Sequence, residues 1–420
     1  MLKLSDLTKN TLTLVIGAIT AQVIPFALQP FLRRIYSVED FGSMTIFLNL
    51  FAVLSIISAL RYEAAIVLPK KNNESANIVS LTFLLNFLYS LILLVCLLLF
   101  KNTIAVFLNF PAKYINFLFF LPAGIFMFGI CQSINYWLIR QKAFISSSGN
   151  KIVRRLAEGV TQTVLGIFKI PGGLFIGDLL GHFANTIAGL RQLFRNQFSF
   201  KNVSQRKMAF VQKKYIVYPK YNAIPTLLSS AANALPFLFI NKIYSTEVVG
   251  YLDLSKLVLS IPLIFISSAL SQVLFQQITF KKHERLSVKK DIITILYAIL
   301  AIVVIEIIVV MFFAPNIFAV VFGSQYKLSG NFSQILVFSF VFNFIGSAFS
   351  SVFMTFEKIK INSIWQIVYF SAICLLCFFN NLSIHTFLML FVTIEVIMHF
   401  SYCVLIWRIL NDYEKGLNRV

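Results

Sequence analysis

Between Ile292 and Ala314 a single carboxylate, Glu306, interrupts 23 residues that otherwise carry no charge. A helix of that length rises about 34 Å, enough to cross the roughly 30 Å hydrocarbon layer of a membrane. Similar runs extend over Thr11 to Leu32, Phe41 to Leu60, Leu81 to Phe100, Phe117 to Ile139, Ile152 to Phe168 and Gly173 to Leu190. After a polar stretch they resume over Ala223 to Ile240, Tyr251 to Phe275, Phe332 to Thr355, Ser363 to Phe379 and Ile384 to Trp407. With Ile292 to Ala314 they number twelve, in two blocks of six. A backbone inside lipid must satisfy its own hydrogen bonds, so these runs are helices rather than open strands. The alternating ten-residue segments of a barrel do not occur. Composition agrees: 58% of the 420 residues are hydrophobic and 12% charged, against about 45–50% and about 25% in soluble domains.

The predicted fold is therefore an all-α polytopic membrane protein with a six-helix lobe at 1–190, a basic connector at 191–219 and a second six-helix lobe at 220–420. The connector carries Arg191, Arg195, Lys201, Arg206, Lys207, Lys213 and Lys214 and has no room for a folded catalytic domain. No short apolar region with a small-residue cleavage site opens the chain, so the first run is read as a retained helix.

A net charge of +20, from 36 basic and 16 acidic residues, would suggest nucleic acid in a soluble protein. Its distribution argues otherwise. With the N-terminus in the cytoplasm, the outer loops hold only Arg33, Arg34, Lys101, Lys113, Lys169, Lys242 and Lys327, Lys256 lies within a span, and the other 28 basic residues face the cytoplasm. That bias fixes both termini inside and makes most of the charge an orientation signal.

The segment RRIYSVEDFG, from Arg33 to Gly42, returns as NKIYSTEVVG, from Asn241 to Gly250, with five identities at an offset of 208 residues. Each copy sits between the first and second helix of its block. An even number of spans separates them, so the two blocks enter the membrane in the same sense, as parallel repeats about an axis along the membrane normal do. A serine N-cap with an acid in the first turn explains the residue types; duplication explains the shared position.

LRRIYSVEDFG, followed by LRYEAAIVLPKKNNESAN from Leu60 and by YPKYNAIPTLLSSAANALPFLFINKIYSTEVVGYLDLSKLVLSIP from Tyr218 to Pro262, resembles the Wzx-type O-antigen and polysaccharide flippases of the multidrug/oligosaccharidyl-lipid/polysaccharide (MOP) exporter superfamily. The resemblance implies two six-helix lobes around a central cavity, alternating access, and outward flipping of an undecaprenyl-diphosphate-linked oligosaccharide across a bacterial inner membrane. It implies no cofactor, and as partners the lipid-linked substrate, membrane lipid, a proton or sodium ion, and a polysaccharide polymerase with its chain-length regulator.

Such cargo needs cations for the diphosphate and amides for the sugars. Charges within spans are costly and face an interior or water. Lys256 lies six residues beyond Gly250, about 9 Å into the bilayer from the outer side; Asp253, three positions earlier on the same face, offers a local ion pair instead. Arg61, in the string Arg61, Tyr62, Glu63, stands near the cytoplasmic surface, where it either captures diphosphate or anchors the helix. Arg33 and Arg34 either attract the flipped diphosphate or pair with Glu39 and Asp40. Gln22, Asn222, Asn233 and Gln272 are candidate sugar contacts or interhelical glue. Pro25, Pro30, Pro219, Pro225, Pro236 and Pro262 gather in the first, seventh and eighth helices, where a kink would suit a gate. Glu306 and Glu395, near mid-span, are candidates for ion coupling together with Asp253, or else neutral, hydrogen-bonded carboxyls.

Other classes fit less well. A drug exporter of the same superfamily would favour an acidic or aromatic pocket. A polysaccharide polymerase or ligase would carry Arg or His in a sizeable outer loop, whereas the longest here, Pro315 to Asn331, holds one Lys and neither. Cys374 and Cys377 have C-x-x-C spacing with no second pair to complete a metal site. His182, His283, His385 and His399 are scattered, and no nucleophile and base pair up.

Overall fold

The computed structural model describes residues 6–417, except for the side chains of residues 6–19 and a few further positions, Gln272 among them. Every long element among the described residues is a helix. The first block is α1 (Asp6–Ile35), α2 (Val38–Ile56), α3 (Asn72–Phe107), α4 (Phe120–Arg140), α5 (Phe144–Ile167) and α6 (Gly173–Arg195). A short helix, α7 (Gln205–Lys214), lies in the connector. Then follow α8 (Ile224–Ile243), α9 (Thr246–His283), α10 (Lys289–Phe322), α11 (Lys327–Ala348), the short α12 (Ser351–Thr355), α13 (Ile359–Cys374) and α14 (Ile384–Leu417). Without α7 and α12 the helices number twelve among the described residues, and each overlaps one of the predicted spans; the tenth span, Phe332 to Thr355, runs on through α12. Eight regions built on them are long and apolar enough to cross a membrane by length and composition alone. Helices α5 and α6 are not in that set; they carry Lys151, Arg154, Arg155 and Glu158, and Asp178 and His182.

Helix ends follow local chemistry. Ser37 caps α2 by accepting from the Asp40 backbone N–H at 3.1 Å while Asp40 accepts from the Ser37 N–H at 3.0 Å, a reciprocal box. In the second copy of the repeat Ser245 accepts from the Val248 N–H at 3.3 Å. Capping thus accounts for the residue types in both copies. Pro25, Pro30, Pro236 and Pro262 lie inside helices. Pro219 opens a π-helical turn that runs directly into α8, and Pro225 sits in the first turn of α8.

By packing the chain divides into Met1–Val249 and Gly250–Val420, which is not where the connector lies. Helix α8 groups with the first unit because it packs on α2. In that unit α5 lies against α1 and α6, and α4 against α3 and α6. Thr246, in the second copy of the repeat, comes so close to α2 that a Cβ on Gly42 would stand 1.9 Å from its carbonyl oxygen. Asn241, fully buried, donates to the Leu108 carbonyl at 2.6 Å and accepts from the Thr246 hydroxyl at 2.8 Å. In the second unit α11 is the centre, packed on α10 and α14, with α12 and α13 also against α14. Ser255 of α9 donates to the Ser329 carbonyl of α11 at 2.7 Å.

Candidate functional site

In the second unit α14 places Glu395 and His399 one turn apart, both buried at 7% exposure. Spacing of four puts them on one helix face. Tyr369 of α13 donates its hydroxyl to Glu395 Oε1 at 2.6 Å. His399 Nε2 stands 3.2 Å from Glu395 Oε2 and 3.2 Å from Asn343 Nδ2 of α11. An imidazole nitrogen between a carboxylate and an amide donor has two settings: protonated, it donates to Glu395; unprotonated, it accepts from Asn343. The Trp365 ring lies parallel to Tyr369, at 5.2 Å and 4°, and its Nε1 donates to the Met398 carbonyl and Ser401 Oγ, both at 3.1 Å. These rings pack beside the pair, with the Tyr369 and Trp365 centroids 5.7 and 5.8 Å from the His399 ring. Lys256 of α9, half-buried, feels the charges of Asp253 and Glu395. Three residues singled out in the sequence, Lys256, Asp253 and Glu395, are therefore electrostatic neighbours. Glu306 stands apart on α10, half-buried, with Oε2 lacking a hydrogen bond among the described residues.

The first unit contains a second cluster. Asp178 and His182 on α6 repeat the acid-then-histidine spacing, and both are buried, at 3% and 0%. Arg154 of α5 reaches Asp178 Oδ1 at 3.4 Å, His182 Nε2 lies 3.8 Å from the same oxygen, and Arg155 bonds Glu158 at 2.9 Å. Gly181 permits the close approach of α5 and α6, since a Cβ there would meet the Arg154 carbonyl at 3.0 Å. Phe51 stacks on the His182 ring at 5.1 Å and Phe128 meets it edge-on at 5.9 Å. Both His182 ring nitrogens are buried without a hydrogen bond among the described residues.

In the sequence the four histidines stand apart, and nothing in it joins His399 to Tyr369 and Asn343 or His182 to Arg154. One signal was there: D-x-x-x-H at Asp178 and E-x-x-x-H at Glu395, each on the last long helix of its six-helix block.

Arg33, Arg34, Arg61, Gln22 and Asn233 lie in the first unit and are not gathered into one place. Arg33 is fully buried, with its guanidinium 3.6 Å from the Phe41 ring centroid and Nε donating to Gln29 Oε1 at 3.1 Å. Its stem and head are thus built into the α1–α2 corner. Arg34 is exposed. The Asp40 carboxylate is engaged by the cap, by the Tyr114 hydroxyl and by Lys113 at 3.7 Å. Asn233 is exposed and donates to the Ser229 carbonyl of its own helix at 2.9 Å, and Gln22 is exposed. Arg61 follows Leu60 in left-handed backbone, φ 63° and 51°, a strain that bulky residues bear only where the surroundings impose it. It pairs with Glu63 Oε1 at 3.2 Å, while its Nε and Glu63 Oε2 are buried without a hydrogen bond among the described residues. Burial pushes the Glu63 carboxyl above its ordinary range, and the Arg61 charge opposes that. Arg140 holds the following loop by donating to the Val67 and Lys70 carbonyls and to Asn72 Oδ1, at 3.3, 3.2 and 3.1 Å.

Residues 31–331 match the family model described as "Polysaccharide biosynthesis protein". No curated protein matches the sequence. Among solved structures, an inward-facing multidrug resistance MATE family transporter of the MOP superfamily aligns with a TM-score of 0.72 at 12% identity, covering 96% of this chain and 95% of its own. An outward-facing transporter described in the same terms aligns at 0.64 and 12%, covering 96% of each chain. A MOP superfamily transporter from Pyrococcus furiosus, whose description cites a binding pocket of reverse polarity that suggests a different function, aligns at 0.63 and 12%, covering 97% and 96%.

Proposed function

The chain belongs to the polysaccharide biosynthesis protein family and is a multi-pass membrane protein on the fold of MOP-superfamily transporters, and from that premise we propose that it flips an undecaprenyl-diphosphate-linked oligosaccharide. Transport runs from the cytoplasmic to the outer leaflet of the bacterial inner membrane by alternating access, with the basic connector in the cytoplasm. The observation that carries the reading is Lys256, a cation on the apolar helix α9 that feels the charges of Asp253 and of Glu395, the latter bonded to Tyr369 and 3.2 Å from His399. In this reading Lys256 meets the diphosphate. Protonation at Glu395 and His399 removes a carboxylate from its neighbourhood and leaves its charge to the cargo; loss of the proton restores the rival and expels the cargo. Arg61 is the cytoplasmic contact, presented by a strained turn that Arg140 holds. Gln22, Asn233 and Arg34, all exposed, are candidate contacts for the sugar and the outer diphosphate, whereas the enclosed Arg33 serves packing. Glu306 is a second candidate for the coupling ion. The membrane potential adds about 2.3 kcal/mol per charge per 100 mV for an anion moving outward from a negative interior.

The test is flipping of a polyprenyl-diphosphate oligosaccharide by the full chain in vesicles. Removing a charge-assisted hydrogen bond costs about 1.5–3 kcal/mol, so Lys256→Gln should slow flipping about 10- to 100-fold while Lys256→Arg retains a measurable rate. A Lys256→Gln rate within twofold of wild type removes the residue from the cargo path. A multidrug exporter would instead keep cationic dye efflux and leave the lipid-linked sugar in place.

A further inference from the structure

The connector contains a feature that transport does not require. Between Asp178 and Glu247 the sequence has no acidic residue, while Arg191, Arg195, Lys201, Arg206, Lys207, Lys213, Lys214, Lys220 and Lys242 all fall there. Within it α7 is a firmly docked helix. Val211 and Tyr215 are buried in a cluster with Tyr62, Ile78, Trp137 and Phe198. The Ser204 N–H donates to Asn77 Oδ1 at 3.1 Å, the Tyr62 hydroxyl to the Gln212 carbonyl at 2.9 Å, and Lys214 and the Tyr215 hydroxyl both reach Glu74 Oε1, at 2.5 and 2.9 Å.

At 100° per residue, Met208, Val211 and Tyr215 define the docked face, and Arg206, Phe210 and Lys213 lie opposite it, with Lys207 and Lys214 on the flank. Phe210 is 60% exposed, Lys214 stands 5.7 Å from its ring centroid, and Ile216 and Val217 beyond the helix are also exposed. An aromatic ring held outward among cations, on a helix already anchored by its other face, needs an occupant that is both anionic and partly apolar. Height supplies the rest. Side chains of α3 become lipid-like in exposure from Leu84 onward through Phe87, Leu88, Leu91 and Ile92. Asn77 and Glu74, where α7 docks, precede Leu84 by seven and ten residues, or about 10–15 Å along the helix. A headgroup layer occupies about 5–8 Å beyond the hydrocarbon, which leaves α7 within about one Debye length of lipid phosphates.

We infer that α7 is a membrane-surface element whose outer stripe, Arg206, Phe210 and Lys213, binds the headgroups of anionic phospholipids. Cations near an anionic surface are drawn to it, and the aromatic ring belongs at the headgroup level. The inference holds whichever cargo the protein carries. Full-length protein in nanodiscs of phosphatidylcholine, with and without one-third phosphatidylglycerol, tests it by hydrogen exchange at 205–214. Exchange should slow about tenfold in the anionic discs and recover in high salt. The double variant Arg206→Gln, Lys213→Gln and the variant Phe210→Ser, which leave the docked face intact, should lose that slowing while matching wild type in phosphatidylcholine. Equal exchange in both lipids, or slowing that survives in the variants, overturns the inference; the first of these is also the result if the stripe serves an acidic protein.

Discussion

Helices α6 and α14 each carry an acid followed four residues later by a histidine, and each closes its block of six, yet the two pairs are furnished differently. Around Glu395 and His399 the polar atoms are met: Tyr369 serves one carboxylate oxygen, and His399 Nε2 lies at equal distance from Glu395 and Asn343. Around Asp178 and His182 the anion is met by Arg154, while both imidazole nitrogens lack a hydrogen bond among the described residues and the ring is packed between Phe51 and Phe128. The same spacing therefore supports two roles. His399 has a carboxylate and an amide at one nitrogen, whereas the His182 ring lies between phenyl rings, beside an acid that an arginine already pairs. The difference teaches that partner chemistry, rather than the motif, sets what each acid–histidine pair can do.

The largest expected effect breaks the first pair. Removing one member of a buried ion pair leaves an uncompensated charge and costs about 3–5 kcal/mol. With 21% of its side chain exposed, Arg154 keeps some solvation, so Asp178→Ala should fall toward the lower end of that range. The readout is the thermal unfolding midpoint of purified protein, which should drop by several degrees. If Asp178→Ala unfolds like wild type, α5 and α6 are not held by this pair and the contrast between the units fails.

Next comes the second pair, where stability and function should separate. Glu395→Gln keeps an oxygen for Tyr369 and should cost less than about 1.5 kcal/mol in stability, the value of one hydrogen bond. If the pair couples a proton to the proposed transport, flipping should nonetheless fall about tenfold and its pH profile should be flatter than that of wild type measured alongside. His399→Gln should reproduce the flattened profile. A Glu395→Gln protein with a normal pH profile would assign proton exchange elsewhere, with Glu306 next to be tested by the same substitution.

The fold was legible because every membrane helix needs about 20 apolar residues, and runs such as Ile292 to Ala314 announce it without reference to any neighbour. Lys256, Asp253 and Glu395 stand out in the sequence for the same reason, as charges in places where charge is costly. What was not legible depends on which side chains meet. The burial of Arg33 follows from Phe41 folding back across the α1–α2 turn, and nothing in the count of charges per loop reveals that. His399 looked isolated because its partners, Tyr369 and Asn343, come from helices 30 and 56 residues upstream. The grouping of α8 with the first unit was hidden too, since it rests on packing between distant helices.

The smallest prediction sharpens the comparison at the repeat itself. If the blocks descend from one ancestor and have since diverged in task, the caps should have diverged as well. Ser37 takes part in a two-way box with Asp40, whereas Ser245 accepts one longer bond from Val248, and the position matching Asp40 is Val248 itself. Replacing an N-cap serine by alanine costs about 0.5–2 kcal/mol. Ser37→Ala removes the acceptor of one orphan N–H and the anchor for the returning carboxylate, so it should sit near the middle of that range. Ser245→Ala loses a single weak bond and should sit at the bottom. Unfolding midpoints measured side by side check the order. Equal costs would mean that the acid in the first copy adds nothing to its cap, and that Asp40 is retained there for its contacts with Tyr114 and Lys113.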